Sequence, residues 1–473
     1  MSATLDADAV LGRLRDEGFH SVRVVFADQH GLLRGKTVAA EAMAGAFEHG
    51  VGLPGSLLHK DTGNNYAVGL WEPTGDETLD QLVGARNIIM RPDASTFRPL
   101  PWLAGTGLVL SDVETTEGEP IALSTRAICR QALEPLASHG LRYKAGLEFE
   151  FHLFRREPTG ELRHSHPGWD LLGEDSLDRL EPAVEPIRQG LTDLGLAPAT
   201  IEAELGPSQI ELTFPPAEGL VVADQAVIIR SAIRQLARRN GHQATFMSRP
   251  MIDGQGFPSG WHLHQSLVAA DNPSGPSLFM PTVAAPAAGS PEHTVDGGAG
   301  AVVSTLGGQV IAGLLANAEA SCLLTTPTVT GYKRYRPRAV TPDRISWSRE
   351  HRGAMLRVIG GAGDPATRIE NRAGDPAANP YLYVGSQVLS ALDGIEHEMA
   401  PPPPTESPYG SDGGRLLPRH LGEAIDAFET SAMYRKALGD VIVDYLVTLK
   451  RSEWQRFNAT VTDWEQNEYR ELF

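Results

Sequence analysis

The sequence predicts an α+β fold, divided near residue 115 into a small N-terminal unit (1–114) and a large C-terminal one (115–473). Three observations carry this expectation. A strand-turn-strand signature occupies residues 21–38. An aromatic-rich strand runs through Gly146-Leu147-Glu148-Phe149-Glu150-Phe151. Long stretches of helical spacing cover 124–139, 176–195 and 220–241.

In chain order, Val10, Leu11 and Leu14 space a helix over 7–17. Ser21 to Phe26 reads as a strand, Asp28-Gln29-His30-Gly31 as a turn, and Leu32 to Val38 as the return strand. Ala39 to Glu48 looks helical, and Gly50 to Asn65 reads as a Gly-rich loop. Asn87 to Trp102 ends a small mixed unit, and Leu108 to Val113 is its last strand. Beyond residue 115 come helix 124–139, the Glu148/Glu150 strand, a polar loop at 155–175 and helix 176–195. A strand at Gln209 to Phe214 and helix 220–241 follow. Residues 268–298, rich in Pro, Ala, Gly and Ser, read as a surface insertion, and 302–318 as a buried helix. Pro401 to Pro418 is a loop, and the tail from Leu421 is helical and amphipathic.

Composition narrows the function classes. The chain has 59 acidic and 41 basic residues, a net charge of -18, which disfavours general nucleic-acid binding because phosphate contacts need a basic surface. Cys129 and Cys322 supply neither a disulfide framework nor zinc spacing, as in a reducing cytoplasm. No signal peptide and no membrane span are expected, since Val302 to Ala318 is broken by Ser, Gly and Gln.

The chemistry is concentrated in five segments. Glu148 and Glu150 are two apart on one strand face, with Phe149 and Phe151 on the other. Two carboxylates side by side are costly to desolvate unless something positive lies between them, and a divalent cation meets that need. Glu204 and Glu211 flank a turn, the second on a β-type run. His262 and His264 alternate on another strand. Tyr332-Lys333-Arg334 precedes Arg352 and Arg357, and Arg368-Ile369-Glu370-Asn371-Arg372 places two guanidiniums and a carboxylate on one face. Hard oxygen ligands with imidazole suit Mg²⁺ or Mn²⁺ better than zinc. Several arginines suit a polyphosphate and a carboxylate substrate. Metals and arginines around phosphates describe phosphoryl transfer, and with no Walker A or G-x-G-x-x-G motif a nucleotide must bind by another architecture. His152 shares the glutamate face and reads as a hydrogen-bonding residue at the strand end; Arg336 and Arg338 read as solvated loop charges.

Those five segments, in this order, together with Asp375-Pro376-Ala377-Ala378-Asn379-Pro380-Tyr381-Leu382, resemble the glutamine synthetase family over nearly the whole chain, and most of all its γ-glutamyl-amine ligase branch. The resemblance implies a β-grasp-like N-terminal domain and a catalytic domain built on a curved antiparallel sheet. It implies ATP, two or more Mg²⁺ or Mn²⁺ ions per active site, glutamate and a small-molecule amine as substrates, and a γ-glutamyl phosphate intermediate. It also implies a homo-oligomeric ring, a dodecamer, with active sites between subunits. By position, Glu150, Glu204 and Glu211 resemble ligands of the metal facing the amino acid, and Glu148, His262 and Glu370 ligands of the metal serving the phosphates. His264 and Ser266 match nucleotide-side positions, Arg334 and Arg372 match residues holding substrate carboxylates, and Arg352, Arg357 and Arg368 match residues that neutralise phosphates.

The departures from the family pattern point to the acceptor. Ammonia-using members carry a glutamate in a flap where this chain has Val340, and an Asp-Gly-Ser-Ser loop where it has Leu53-Pro54-Gly55-Ser56. Binding and deprotonating ammonium both call for carboxylates. Their replacement by apolar residues suits a larger amine with a hydrophobic body, and a neutral arylamine needs such acids least. Asp61 is a candidate replacement acid, and Phe257-Pro258 replaces an Asn-Gly beside the glutamate position. The expectation is an ATP-dependent glutamate–amine ligase. Its alternatives are glutamine synthetase proper, with a displaced acid, and a catalytically idle regulatory relative, against which the intact ligand set argues.

Overall fold

The computed structural model describes residues 5–252, 254–281, 302–336, 340–410 and 413–473. Asp6 opens helix α1 (Ala7–Asp16) by accepting from the Ala9 N–H at 2.8 Å. Strands β1 (Ser21–Ala27) and β2 (Leu33–Ala39) form the expected hairpin, with Val24 opposite Lys36. The Asp28 carboxylate closes its turn, accepting from the backbone N–H groups of His30 and Leu32 and from Arg34. Helix α2 (Met43–His49), strand β3 (Val51–Pro54), the short helix α3 (Glu77–Asp80) and strands β4 (Asn87–Pro92), β5 (Arg98–Pro99) and β6 (Thr106–Glu114) complete this unit. The sheet order is β2-β1-β6-β4-β3, and β1 runs parallel to β6, so the first and last long strands lie side by side. Residues 50–65 are not all loop: β3 pairs with β4, and a 3₁₀ turn follows over Gly55–His59. Four residues with only Leu53 deeply buried give too short an alternation to declare a strand, and its partner is more than thirty residues away in sequence.

The larger unit begins with α4 (Thr125–Ser138) and the long strand β7 (Leu141–Arg156). It continues through β8 (Leu162–His164), α5 (Glu174–Asp193), β9 (Thr200–Ala203), β10 (Gln209–Thr213), β11 (Ala217–Glu218) and α6 (Gly219–Arg239). Strands β12 (His242–Thr245) and β13 (Trp261–Ala269), helices α7 (Thr305–Ala316) and α8 (Ala318–Thr325), and strands β14 (Trp347–Arg349), β15 (Leu356–Ile359) and β16 (Arg368–Asn371) follow. Helix α9 (Pro380–Glu396) and four tail helices, α10 (Leu421–Glu429), α11 (Ala432–Leu438), α12 (Asp440–Asn458) and α13 (Asp463–Tyr469), end the chain. The main sheet runs β14-β15-β16-β13-β7-β10-β9, antiparallel throughout except for β14 beside β15. Strands β8, β11 and β12 also pair with β7. The expected surface insertion is shorter than 268–298: β13 continues to Ala269 and Phe279 is buried, while 282–298 lie outside the described residues. The expected helix at 302–318 is α7 followed by a restart at Asn317. Among the described residues no helix is long and apolar enough to cross a membrane.

The β7 alternation splits the sheet into a chemical face and a core face. Phe149 packs against Trp261 (4.7 Å between ring centroids), and Phe151 against Phe246 (5.4 Å). Buried Arg126 on α4 ties α6 and the first sheet together, donating to Asp224 through two nitrogens (both 2.9 Å), to Asp112 (3.0 Å) and to Asp93 (2.7 Å). The 375–382 run does similar work. Asn379 caps α9 by accepting from the Tyr381 N–H and donates to the Asp28 carbonyl, while Pro380 starts the helix.

Candidate active site

Strand register assembles the site. Glu202 on β9 lies opposite Glu211 on β10, and Glu211 opposite Glu150 on β7. Glu148 lies opposite His262 on β13. His264 lies opposite Glu370 on β16, which lies opposite Arg357 on β15. Directly paired residues on neighbouring strands have Cβ atoms about 5 Å apart. Residues from Glu148 to Glu370, 222 positions apart in sequence, therefore meet on one sheet face.

The side chains interlock. The Glu148 carboxylate contacts His262 Nδ1 with one oxygen and His264 Nε2 with the other, at 2.9 Å. Burial disfavours its charge, but the two imidazoles hold the carboxyl far below the usual range. Glu370 is almost fully buried; Arg372 contacts one oxygen and Arg357 donates to the other at 3.0 Å. Its carboxyl stays low because Arg372 and His262 outweigh burial. Glu150 accepts from Gln209 (2.7 Å) and the Gly260 N–H (3.0 Å), yet burial and the charge of Glu204 push it up to about 8. Glu204 is also raised, chiefly by burial. Glu211 is pushed up to about 12 by burial and by Glu148 and Glu150. Burial, then Arg372, lowers His262.

A cluster in which several carboxylates resist ionisation is short of positive charge. Among the described residues, three groups bring ligand atoms within 4.8 Å of one another: Glu148, Glu211 and His262; Glu148, His264 and Glu370; Glu202, Glu204 and Glu211. Carboxylate oxygens, with one imidazole in each of the first two groups and none in the third, fit hard divalent cations such as Mg²⁺ or Mn²⁺. All six glutamate and histidine ligands expected from the sequence lie in this region, with differences. Glu150 lies between groups, its Oε1 3.6 Å from His262 Nε2. His264 joins a ligand group. Glu202 is an addition that sequence reasoning missed, although Glu202 and Glu204 repeat the i, i+2 spacing of Glu148 and Glu150.

Beside the ligands opens a cleft of about 740 Å³ lined by Glu148, His264, Ser266, Arg352, Arg357 and Arg368. It joins every nucleotide-side and phosphate-side residue expected from the sequence. Arg368 also donates to His264 Nδ1 at 3.2 Å, and Arg372 Nε is held by the Arg352 carbonyl at 3.0 Å. Arg334 differs from expectation: it is 1% exposed and donates to the carbonyls of Gly331, Ser259, Gly374 and Ala373. With its guanidinium so engaged, it positions the backbone next to Arg372 rather than presenting charge to the cleft. Lys333 lies over the Phe457 ring, and His152 is buried, bonded to Ser259 and kept neutral, its value lowered to about 3 by burial. Arg338 lies outside the described residues.

The positions where the sequence departs from the family pattern can also be placed. Pro54 and Val340 are exposed, and Asp61 is committed within its own chain, accepting from Ser452 (2.8 Å) and Arg456 (2.9 Å). Phe257 meets Trp169 edge-to-face at 5.8 Å. Trp169 and Leu172 both hold positive φ, 68° and 58°, a costly conformation for bulky residues. Their N–H groups bond the carbonyls of Leu205 and Ala203, on either side of Glu204. Trp169 is nonetheless 68% exposed.

The chain matches the glutamine synthetase catalytic domain over residues 122–469. It is 39% identical to the γ-glutamylanilide synthase of an Acinetobacter species, covering 98% of this chain and 95% of that one. It is 30% identical to the γ-glutamylethanolamide synthetase GlnA4 of Streptomyces coelicolor, covering 94% and 91%. In structure it resembles a GmaS–ADP complex, with a TM-score of 0.79 and 27% identity over 98% of this chain and 99% of that one. With the ligand rows and the arginine-lined cleft in place, this chain belongs to the glutamine synthetase family of ligases.

Proposed function

We propose that this protein joins the γ-carboxyl of glutamate to an amine other than ammonia, at the expense of ATP and through γ-glutamyl phosphate. The observation that carries the reading is the pairing of a full ligand set with an acceptor side lacking the two acids an ammonium ion needs. Trp169 and Phe257, beside Glu204, offer apolar contact to an amine with an aromatic or alkyl body. The similarity to γ-glutamylanilide and γ-glutamylethanolamide synthetases supports the same reading.

In this account Glu148, Glu150, Glu202, Glu204, Glu211, His262, His264 and Glu370 hold divalent ions, which supply charge neutralisation for phosphoryl transfer when bound. His264, Ser266, Arg357 and Arg368 bind the nucleotide side, and Arg352 faces the transferred phosphoryl group. Arg372 orients the carboxylates of glutamate, with Arg334 fixing the adjacent backbone. A γ-carboxylate oxygen attacks the terminal phosphorus of ATP and ADP leaves. The neutral amine nitrogen then attacks the acyl carbon, phosphate departs with the C–O bond, and the nitrogen loses a proton. A carboxylate is a poor electrophile, and phosphorylation gives it a leaving group. An arylamine is already neutral at pH 7, so the first proton removal that ammonium requires falls away. The chain divides between residues 114 and 115, works in the cytoplasm and assembles as a dodecameric ring with sites shared between neighbouring subunits.

The test is phosphate release with glutamate, ATP and Mg²⁺ against ammonia, ethanolamine, short alkylamines, polyamines and anilines, with mass spectrometry of the products. A γ-glutamyl adduct of an organic amine supports the reading. Glutamine as the dominant product across the panel refutes it.

A further inference from the structure

A second cleft, of about 730 Å³, lies apart from the ligand cluster, and its charge runs against that of the chain. Arg156, Arg230, Arg234, Arg238, His30 and His242 line it, and among the described residues no carboxylate does, although the chain's net charge is -18. Phe246, which packs against Phe149 and Phe151 on the core side of β7, forms part of its wall, so the sheet separates this cleft from the glutamates. Arg230, Arg234 and Arg238 are spaced i, i+4 and i+8 on α6, one face of the helix, at a rise of roughly 6 Å per step. Like charges so placed repel, and a helix keeps them at a cost unless something negative bridges them.

The partners of these arginines differ. Arg230 is buried and spends its donors on the carbonyls of Pro376, Ala378 and Gly31. Among the described residues, the guanidiniums of Arg234 and Arg238 make neither a hydrogen bond nor an ion pair, yet Arg234 is only partly exposed. Burial, with Arg238 next in size, makes Arg234 a weaker base than usual, as expected of a cation lacking a counter-charge. Leu32, Phe246 and Met247 give the cleft an apolar side. Arginines placed one turn apart suit successive phosphoryl groups, which they bind in bidentate fashion, and the apolar wall suits an organic body.

We propose that this cleft is a second ligand site, for a small metabolite bearing a diphosphate, held mainly by Arg234 and Arg238. Its walls come from the hairpin turn of the N-terminal unit (His30, Leu32) and from α6 and β12 of the larger one, so an occupant would touch both units.

Calorimetric titration of the full-length protein with inorganic pyrophosphate, in EDTA to exclude divalent ions, tests the proposal. The wild type is expected to show two classes of site, one at the active-site arginines and one here. Arg234→Met and Arg238→Met each weaken the second class by roughly tenfold or more, with the first class and the KM for ATP unchanged. Exposed Arg238 decides the matter if the Arg234 variant does not fold. A single class in the wild type, or unchanged binding in the variants, overturns the proposal. So does tighter binding of succinate than of pyrophosphate. A change of oligomer size in the variants by light scattering also overturns it, because the cleft would then receive a neighbouring copy of the chain. None of these outcomes depends on which amine the active site accepts.

Discussion

Glu370 and Glu211 belong to one cluster but should respond in opposite ways to loss of charge. Glu370 is 1% exposed and compensated: Arg372 and Arg357 each contact one of its oxygens. Glu370→Gln keeps the shape and leaves a buried guanidinium facing a neutral amide. Breaking a buried pair on one side costs about 3–5 kcal/mol. Glu211 faces Glu148, Glu150 and Glu204, and with its carboxyl pushed up to about 12 it is protonated at neutral pH without a cation. Glu211→Gln therefore resembles the neutral group already present, and the metal-free protein should change by no more than about 1 kcal/mol. The variant should instead lose stabilisation by Mg²⁺, which for the wild type is about 2.7 kcal/mol at a hundredfold excess over Kd. Denaturant unfolding in EDTA and in Mg²⁺, at fixed protein concentration, reads both quantities. The reasoning is refuted if Glu211→Gln destabilises the EDTA form as much as Glu370→Gln, or if Mg²⁺ stabilises it as it does the wild type.

Other outcomes follow from the same geometry. Because Glu150 (about 8) and Glu211 (about 12) hold protons at pH 7, Mg²⁺ binding should release protons. Its calorimetric heat should then differ between buffers of different ionisation enthalpy; equal heats would contradict the protonated state. These raised carboxyls bind protons that the unfolded chain gives up near 4.5, which favours the fold less as pH rises, whereas His30, His59, His152, His166 and His262, lowered from 6.5 chiefly by burial, act the other way below that value; metal-free stability should therefore fall as pH rises from about 6.5 towards 8, and Mg²⁺ should flatten the slope. Asp224→Asn removes an acceptor of two Arg126 bonds and of the Tyr381 hydroxyl, and should cost about 3 kcal/mol in denaturant unfolding with little change in KM. Trp169→Ala should raise the KM for an arylamine roughly two- to tenfold and leave that for glutamate unchanged; an equal loss with ammonia would remove Trp169 from the acceptor side.

Much of this site was legible because its ligands alternate on strands. Glu148 and Glu150, His262 and His264, and Arg368, Glu370 and Arg372 each announce a shared face by spacing of two. Which strands then meet is a matter of register, and register is not written locally. Glu202 becomes a ligand candidate only once β9 is known to pair with β10 and to set it opposite Glu211. Arg334 shows the reverse case. Its neighbours Tyr332 and Lys333 mark a cleft segment, but the four carbonyls that hold it come from residues 259, 331, 373 and 374, brought together by the fold. Strand β3 was hidden in a Gly-rich stretch for the same reason, since its partner β4 lies beyond an intervening excursion. The Arg230, Arg234 and Arg238 row was readable as spacing on a helix, but its lack of carboxylate partners was not.

The most direct test of the central claim is a competition in one vessel: enzyme, glutamate, ATP and Mg²⁺ with equal concentrations of ammonium and an organic amine, aniline first, followed by quantitative mass spectrometry. The product ratio equals the ratio of the two kcat/KM values. The account predicts that the γ-glutamyl adduct of the organic amine dominates for at least one amine of the panel. Glutamine in excess over every such adduct would show that ammonia is the acceptor and that an acid elsewhere serves in place of Val340 and Pro54.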